Sequence, residues 1–239
     1  MYLSDLFKRE LMEGSKLLSY IKDVLKNRPT DWLNLTTHRL DVYDEKRAKT
    51  QFLEQLDTLF NSNNSEASAL KKLPTAYDYI RLGHPLSSIL EWTIAKLQDL
   101  KPENVISFSS QTIPVLAILR KNLLDPKKTQ INYTGELPDT FDTDVLKRVY
   151  GYQFELKQVE NAAAVSEFDG STIFISQQED LSKVTLSNSI DFFITSLAQL
   201  GSVVFVNGTL NESYISDIQH FRRRETIAMT PANSLSALQ

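Results

Sequence analysis

Apolar positions near the start of the chain recur at helical spacing. Leu3, Leu6, Phe7, Leu17, Leu18, Ile21, Val24 and Leu25 form one stripe, which stops before Arg28-Pro29. A second stripe, Phe52, Leu56, Leu59 and Phe60, follows the charged start Asp44–Lys49. Residues 61–68, NSNNSEAS, have no apolar period and read as a loop or linker. After about residue 85 the rhythm changes. A helix carrying Ile89, Leu90, Ile94 and Leu97 leads to a short strand, Val105–Phe108. The pattern then predicts helix 113–123, strand 129–133, helix 142–150, strand 153–157, strand 172–175, helix 189–200 and the strongly apolar strand Val203–Val206. Strands alternating with helices predict an α/β fold, a mostly parallel sheet covered by helices and preceded by N-terminal helices. The division falls at 1–72 for the helical segment and 73–239 for the α/β domain, with no internal repeat.

Ligands of such sheets bind beyond the carboxyl ends of the strands. Two of those ends stand out, Ser109–Thr112 and Asn207-Gly208-Thr209. In the stretch SFSSQTIPVLAILRKNLL (107–124), the turn precedes a helix whose first N–H groups suit an anion. Phosphate-binding turns carry glycine so that the ligand can approach the backbone. This one offers Ser109, Ser110, Gln111 and Thr112 instead.

Charge and composition narrow the field. A formal net charge of −4 argues against a nucleic-acid or anionic-membrane surface as the main partner. The dense basic run Arg222, Arg223, Arg224 reads as a solvated or ion-paired helix end. The absence of cysteine removes disulfides, thiolate metal sites and a cysteine nucleophile, and it fits a reducing compartment. The start MYLSDLFKRELMEGSKLL carries charges where a signal peptide needs an apolar core, and no later stretch is long enough to span a bilayer, so the expected location is cytoplasmic. Asn34-Leu35-Thr36 is then a chance glycosylation match. His38, His84 and His220 are too scattered for a metal site. Neither a P-loop nor a dinucleotide glycine fingerprint is present.

One segment resembles a known family. YDYIRLGHPLSSILEWTIAKL followed by VISFSSQTIPVLAIL is similar to the fold type I pyridoxal-phosphate enzymes of cysteine and methionine metabolism, the cystathionine γ-synthase and β/γ-lyase family. Tyr79 and Arg81 match the family's Tyr-x-Arg, Gly83 and Pro85 its glycine and proline, Leu90-Glu91 its Leu-Glu helix, and Ser109-Ser110 its two serines. His84 stands where the family has asparagine. Tyr133 to Gly135 fall where the family has Tyr-Gly-Gly, whose tyrosine stacks on the cofactor ring, and VVFVNGTLNESY and ETIAMTPANSL extend the similarity thinly to residue 235. The resemblance implies a three-layer sheet like the large domain of a pyridoxal-phosphate transferase, incomplete at the C-terminus.

The same resemblance implies a site that has lost its chemistry. The cofactor is an electron sink that needs a lysine for the Schiff base, an acid at the pyridine nitrogen and a phosphate cup. By the family's pattern the lysine position is Asn233 and the acid position Asn207, while the cup's glycine and methionine become Gln111 and Thr112. Glu179-Asp180-Leu181 replace its Ser-Asn-Pro. The expected residual cofactor contacts are Tyr79, Arg81, Ser110, Thr112 and Tyr133, with no catalytic residue and no metal. Tyr79 and Arg81 also read as a surface aromatic and an exposed charge, and Tyr133 as plain packing. The chain is then a binding, scaffolding or regulatory subunit without cofactor, in a homodimer or a heterodimer with an intact relative, touching neither nucleic acid nor membrane. The alternative is a pyridoxal-phosphate lyase or transferase of cystathionine-type metabolism with a rearranged site, in which Lys183, Glu179, Asp180 and His84 are the substitutes. The polar surroundings of Lys183 make it a surface lysine.

Overall fold

The computed structural model describes residues 2–34, 45–74 and 79–239. The side chains of Leu3, Leu6 and Phe7, together with Asp44, His38 and residues 77 and 78, lie outside the described residues. Four helices come first: α1 (Tyr2–Asn27), α2 (Glu45–Asn61), the single turn α3 (Ala67–Leu70) and α4 (Pro85–Leu97). Then come β1 (Val105–Phe108), α5 (Ile113–Leu124), β2 (Thr129–Tyr133), α6 (Thr143–Arg148) and β3 (Glu155–Gln158). The chain continues through β4 (Ser171–Ser176), β5 (Phe192–Leu197), β6 (Gly201–Val206), α7 (Ser213–Glu225) and α8 (Pro231–Leu238).

The six strands form one sheet in the order β1-β6-β5-β4-β2-β3. β5, β4, β2 and β3 pair in parallel, whereas β6 runs antiparallel to both β5 and β1. Five strands therefore point one way and β6 alone the other, which makes the sheet mostly parallel but mixed. Ile106, Phe108, Ile131, Ile173, Ile194 and Val204 face one helical layer, built from α5 and α7 through Ile118 and Ile218. Val105, Phe174, Phe193, Val203 and Phe205 face the other, where Leu90 and Ile94 of α4 pack. Alternation along each strand sends its apolar side chains to both layers, as a sheet covered on both faces requires.

α4 is buried along residues 86–95 because it has two partners. Its inner stripe meets the sheet. Its outer stripe, Leu86, Ile89 and Trp92, meets Ile21 and Val24 of α1 and Phe52 and Leu56 of α2. A helix with apolar stripes on two sides is stable only when both are covered. The N-terminal helices thus close on α4 and the end of α8 rather than on the sheet itself. No helix among the described residues is long and apolar enough to cross a membrane.

One expected element is different in kind. Residues 192–197, read as part of a helix, form β5, all six of them buried. Ile190, Phe193, Ile194 and Leu197 fit a helical period, but a run apolar on both faces fits a covered strand equally well. A tight turn then reverses the chain: Gln199 has φ 60° and Gly201 φ 133°. A Cβ on Gly201 would lie 2.0 Å from the Phe108 carbonyl oxygen, so only glycine lets β6 pass the end of β1.

Candidate ligand site at the carboxyl edge of the sheet

The end of β1 brings residues 109–112 to the edge where ligands of α/β sheets bind. The backbone groups of this turn are largely engaged by the chain itself. Ser110 Oγ accepts from the N–H groups of Thr112 (3.3 Å) and Ile113 (3.2 Å), so it occupies the N-terminal donors of α5. The Ser110 carbonyl accepts from Ser202 Oγ (2.6 Å), and the Ser109 N–H donates to the Ile227 carbonyl (3.2 Å).

The space above is taken up by the β5–β6 turn. Gln111 Nε2 donates to the Leu197 carbonyl at 3.3 Å. Asn233, in the first turn of α8, donates through Nδ2 to the Leu200 carbonyl at 2.9 Å. The Asn233 N–H is itself capped by Thr230 Oγ1 (3.2 Å), which fixes the direction of α8. Gln111 and Asn233, the two side chains that the resemblance sets at the cup glycine and the Schiff-base lysine, therefore hold one turn.

The remaining residues singled out in the sequence are spread. Tyr133 ends β2 on the same edge, three strands beyond β6, and packs partly against the core. Thr112 precedes α5 and is half-buried. Tyr79 and Arg81 lie in the segment that receives the Ala228 N–H at Ile80, and Arg81 Nη1 donates to the Arg223 carbonyl at 3.3 Å. Lys183 is exposed and paired with Asp180 at 2.8 Å, which raises its pKa, the opposite of what an imine-forming amine needs. Glu179 is exposed.

Asn207 is placed elsewhere. Because β6 is reversed, Ser202 pairs with Phe108 while Val206 lies beyond Val105, so Asn207 is at the amino edge of the other strands. That is roughly 16 Å from the Ser109–Thr112 turn at the usual rise of a strand. There its Nδ2 donates to the carbonyls of Ser187 (2.9 Å) and Ile190 (2.8 Å), an anchoring role. Asn207-Gly208-Thr209 thus ends a strand without reaching the ligand edge, a correction that follows from the direction of β6.

Sequence reading missed a buried charge cluster beneath this edge. Glu91 on α4 lies 2.5 Å from Lys49 Nζ and 3.1 Å from Arg222 Nη1. Glu91 also accepts from the Ser107 N–H (2.9 Å) and hydroxyl (2.8 Å). Burial pushes the carboxyl up; the charges of Lys49 and Arg222, with their hydrogen bonds, outweigh it and hold Glu91 at about 2. Arg222 further donates to the carbonyls of Ser107 and Leu82, both at 2.8 Å. The run 222–224 therefore splits, with Arg222 inside and Arg223 and Arg224 exposed. His84 caps α4: Nδ1 accepts the Ser87 N–H (3.1 Å), which leaves Nε2 to donate to the Met229 carbonyl (2.7 Å). Burial lowers its pKa to about 4. His220 is exposed, and no group of three metal-ligating side chains occurs among the described residues.

Pyridoxal phosphate, the group the resemblance implies, asks this edge for an amine, a carboxylate at the ring nitrogen and an open cup. The described side chains do not fit it. Asn233 has no amine to condense, Asn207 is uncharged and at the other edge, and Gln111 reaches across the turn.

No known protein-family profile matches the chain, and no curated protein matches it. Among solved structures it is similar to metB from Corynebacterium glutamicum (15% identity, TM-score 0.44, covering 82% of this chain and 64% of that one). It is also similar to cystathionine gamma-lyase from Lactobacillus plantarum complexed with L-serine (12%, 0.42, covering 68% and 52%). A third is a putative O-acetylhomoserine (thiol)-lyase from Campylobacter jejuni with N'-pyridoxyl-lysine-5'-monophosphate (12%, 0.43, covering 89% and 65%). The chain thus spans less than two thirds of the length of each of these three proteins.

Proposed function

We propose that the chain is a catalytically degenerate protein of the fold type I pyridoxal-phosphate transferase kind, acting as a binding, scaffolding or regulatory subunit. The observation that carries this reading is the filled carboxyl edge, where Gln111 and Asn233 direct their amide donors into the β5–β6 turn. A site that binds a cofactor leaves such donors facing the ligand; here they face the chain. Within 79–92, Tyr79, Arg81, Gly83, Pro85, Leu90 and Glu91 match the family's motif while His84 departs from it, and the buried Glu91 cluster fixes the stretch to β1 and α7. The subunit pairs with a second copy or with an intact relative.

The rival reading is a lyase or transferase with a rearranged site, for which Lys183 is the substitute amine. Its exposure and its pairing with Asp180 speak against it. Incubation with pyridoxal phosphate, reduction with borohydride and peptide mass mapping separate the two. The expected result is no stoichiometric lysine adduct and no visible absorbance from an imine. One lysine modified to completion, Lys183 or any other, overturns the binding reading.

A further inference from the structure

We propose that β3, the outermost strand of the sheet, pairs antiparallel with β3 of a second copy of this chain, Leu156 opposite Leu156. This deepens the binding reading above and rests on it, because it names the surface through which the subunit associates. The two edges of the sheet are finished differently. At β1 the outward backbone is taken up: the Ser107 N–H donates to Glu91 (2.9 Å), the Ser107 carbonyl accepts from Arg222 (2.8 Å) and the Ser109 N–H donates to the Ile227 carbonyl (3.2 Å). At β3 nothing comparable occurs among the described residues. The Val159 N–H donates to the Tyr133 carbonyl of β2 at 2.9 Å. Alternation along the strand therefore turns the backbone of Glu155 and Lys157 towards β2 and that of Leu156 and Gln158 outward. These outward N–H and C=O groups meet no further strand, since β3 ends the sheet order.

The side chains of β3 select the occupant. Glu155 and Lys157 share one face of the strand, both exposed and neither in an ion pair among the described residues. Leu156, on the other face, packs partly against the core. Two antiparallel copies must set outward-facing residues opposite each other, so the registers open to them differ by steps of two residues. With Leu156 on the two-fold axis, its N–H and C=O exchange both hydrogen bonds with Leu156 of the second copy. Glu155 then lies opposite Lys157 of the second copy, twice over by symmetry. A step of two residues one way sets Glu155 against Glu155, and a step the other way sets Lys157 against Lys157. Opposite charges across a strand pair stabilise it and like charges destabilise it. A lone lysine on an edge strand discourages pairing of any kind. Glu155 and Lys157 at this spacing instead admit one register and refuse its neighbours, so the edge is its own complement. Val149 and Tyr150, exposed where α6 leads into β3, add apolar surface at the amino end of this edge.

The test is the mass of the full chain by light scattering at low micromolar concentration in about 0.15 M salt, for the parent and for charge variants of β3. The parent is expected to be a dimer. Glu155→Lys and Lys157→Glu each set like charges opposite one another and should each weaken the dimer at least about tenfold. An equimolar mixture of these two variants should recover the dimer, because each supplies the charge that the other lacks. The double exchange, Glu155→Lys with Lys157→Glu, should recover it as well. Recovery in the mixture also shows that both single variants are folded. Glu54→Lys, a change at an exposed carboxylate on α2, should leave the mass unchanged. A monomeric parent, a dimer indifferent to both reversals, or no recovery in either the mixture or the double exchange overturns pairing through β3. Any of these in a chain that forms no lysine adduct leaves the broader binding reading standing, so the two failures are distinguishable.

Discussion

Gln111 and Asn233, from the turn after β1 and the first turn of α8, both donate to the β5–β6 turn, at the carbonyls of Leu197 and Leu200. Each bond is part-buried and worth about 1 kcal/mol. Gln111→Ala and Asn233→Ala should each speed amide exchange at residues 198–202 about fivefold, read by hydrogen-exchange mass spectrometry. Because the two share one turn, the double variant should depart from additivity. Unchanged exchange in both single variants would show that the turn stands without them.

Glu91 is the hub of the buried cluster, so losing it strands two cations. Glu91→Gln should cost about 3–5 kcal/mol in urea unfolding. Lys49→Met should cost less, because Arg222 and Ser107 still satisfy the carboxylate. A loss below about 1 kcal/mol for Glu91→Gln would be at odds with the geometry.

His84 makes stability depend on acidity in a defined window. The folded chain holds its imidazole neutral down to about 4, whereas the unfolded chain protonates it near 6.5. Between those values the unfolded state binds the additional proton. The contribution is complete above pH 6.5 and falls away as pH drops towards 4, by about 3 kcal/mol in all. Glu91 adds stability of the same sign at lower pH, present above its ordinary value of 4.5 and lost as pH falls through about 2. Urea midpoints at pH 7.5, 6.5, 5.5 and 4.5 should fall more steeply for the parent than for His84→Asn. Parallel slopes would contradict the neutral, buried imidazole.

Gly201→Ala should destabilise by about 2–5 kcal/mol, from the close carbonyl of Phe108 and the positive φ together. Gly151→Ala, at φ 72° with nothing within 4 Å, should cost only about 1 kcal/mol. Thermal melts of the two variants provide the comparison.

The proposed pairing of subunits predicts a mass above that of a monomer in light scattering at low micromolar concentration. Arg81→Ala, which removes one exposed contact to the Arg223 carbonyl, should leave that mass unchanged. A monomer mass for the parent chain refutes self-association.

Much of the α/β alternation was legible because each element carries its own period. β2 begins and ends where the predicted strand 129–133 does, and α4 opens at Pro85 behind a capping residue. β5 was hidden because FFITSL is apolar on both faces, so no period separates strand from helix. That one misreading hid the direction of β6 and with it the position of Asn207. The Glu91 cluster left no local trace either: Lys49, Glu91 and Arg222 are distant in sequence, and each alone reads as a surface charge. The motif positions directed attention to Gln111 and Asn233 as residues of interest. They did not convey that Gln111 and Asn233 turn inward.

The reversed strand also sets the order in which the molecule is completed. β6 fits between β5, which directly precedes it, and β1, whose flanking Asn104 bonds to Val206 across 102 residues of chain. Its hairpin with β5 can form locally and early, whereas its pairing with β1 must await nearly the whole domain. Until then β1 and the outer edge of the hairpin are both open strands, built from VISF and GSVVFV. During synthesis the first strand to leave the ribosome is among the last to be paired, and that interval is when this chain is most exposed to aggregation.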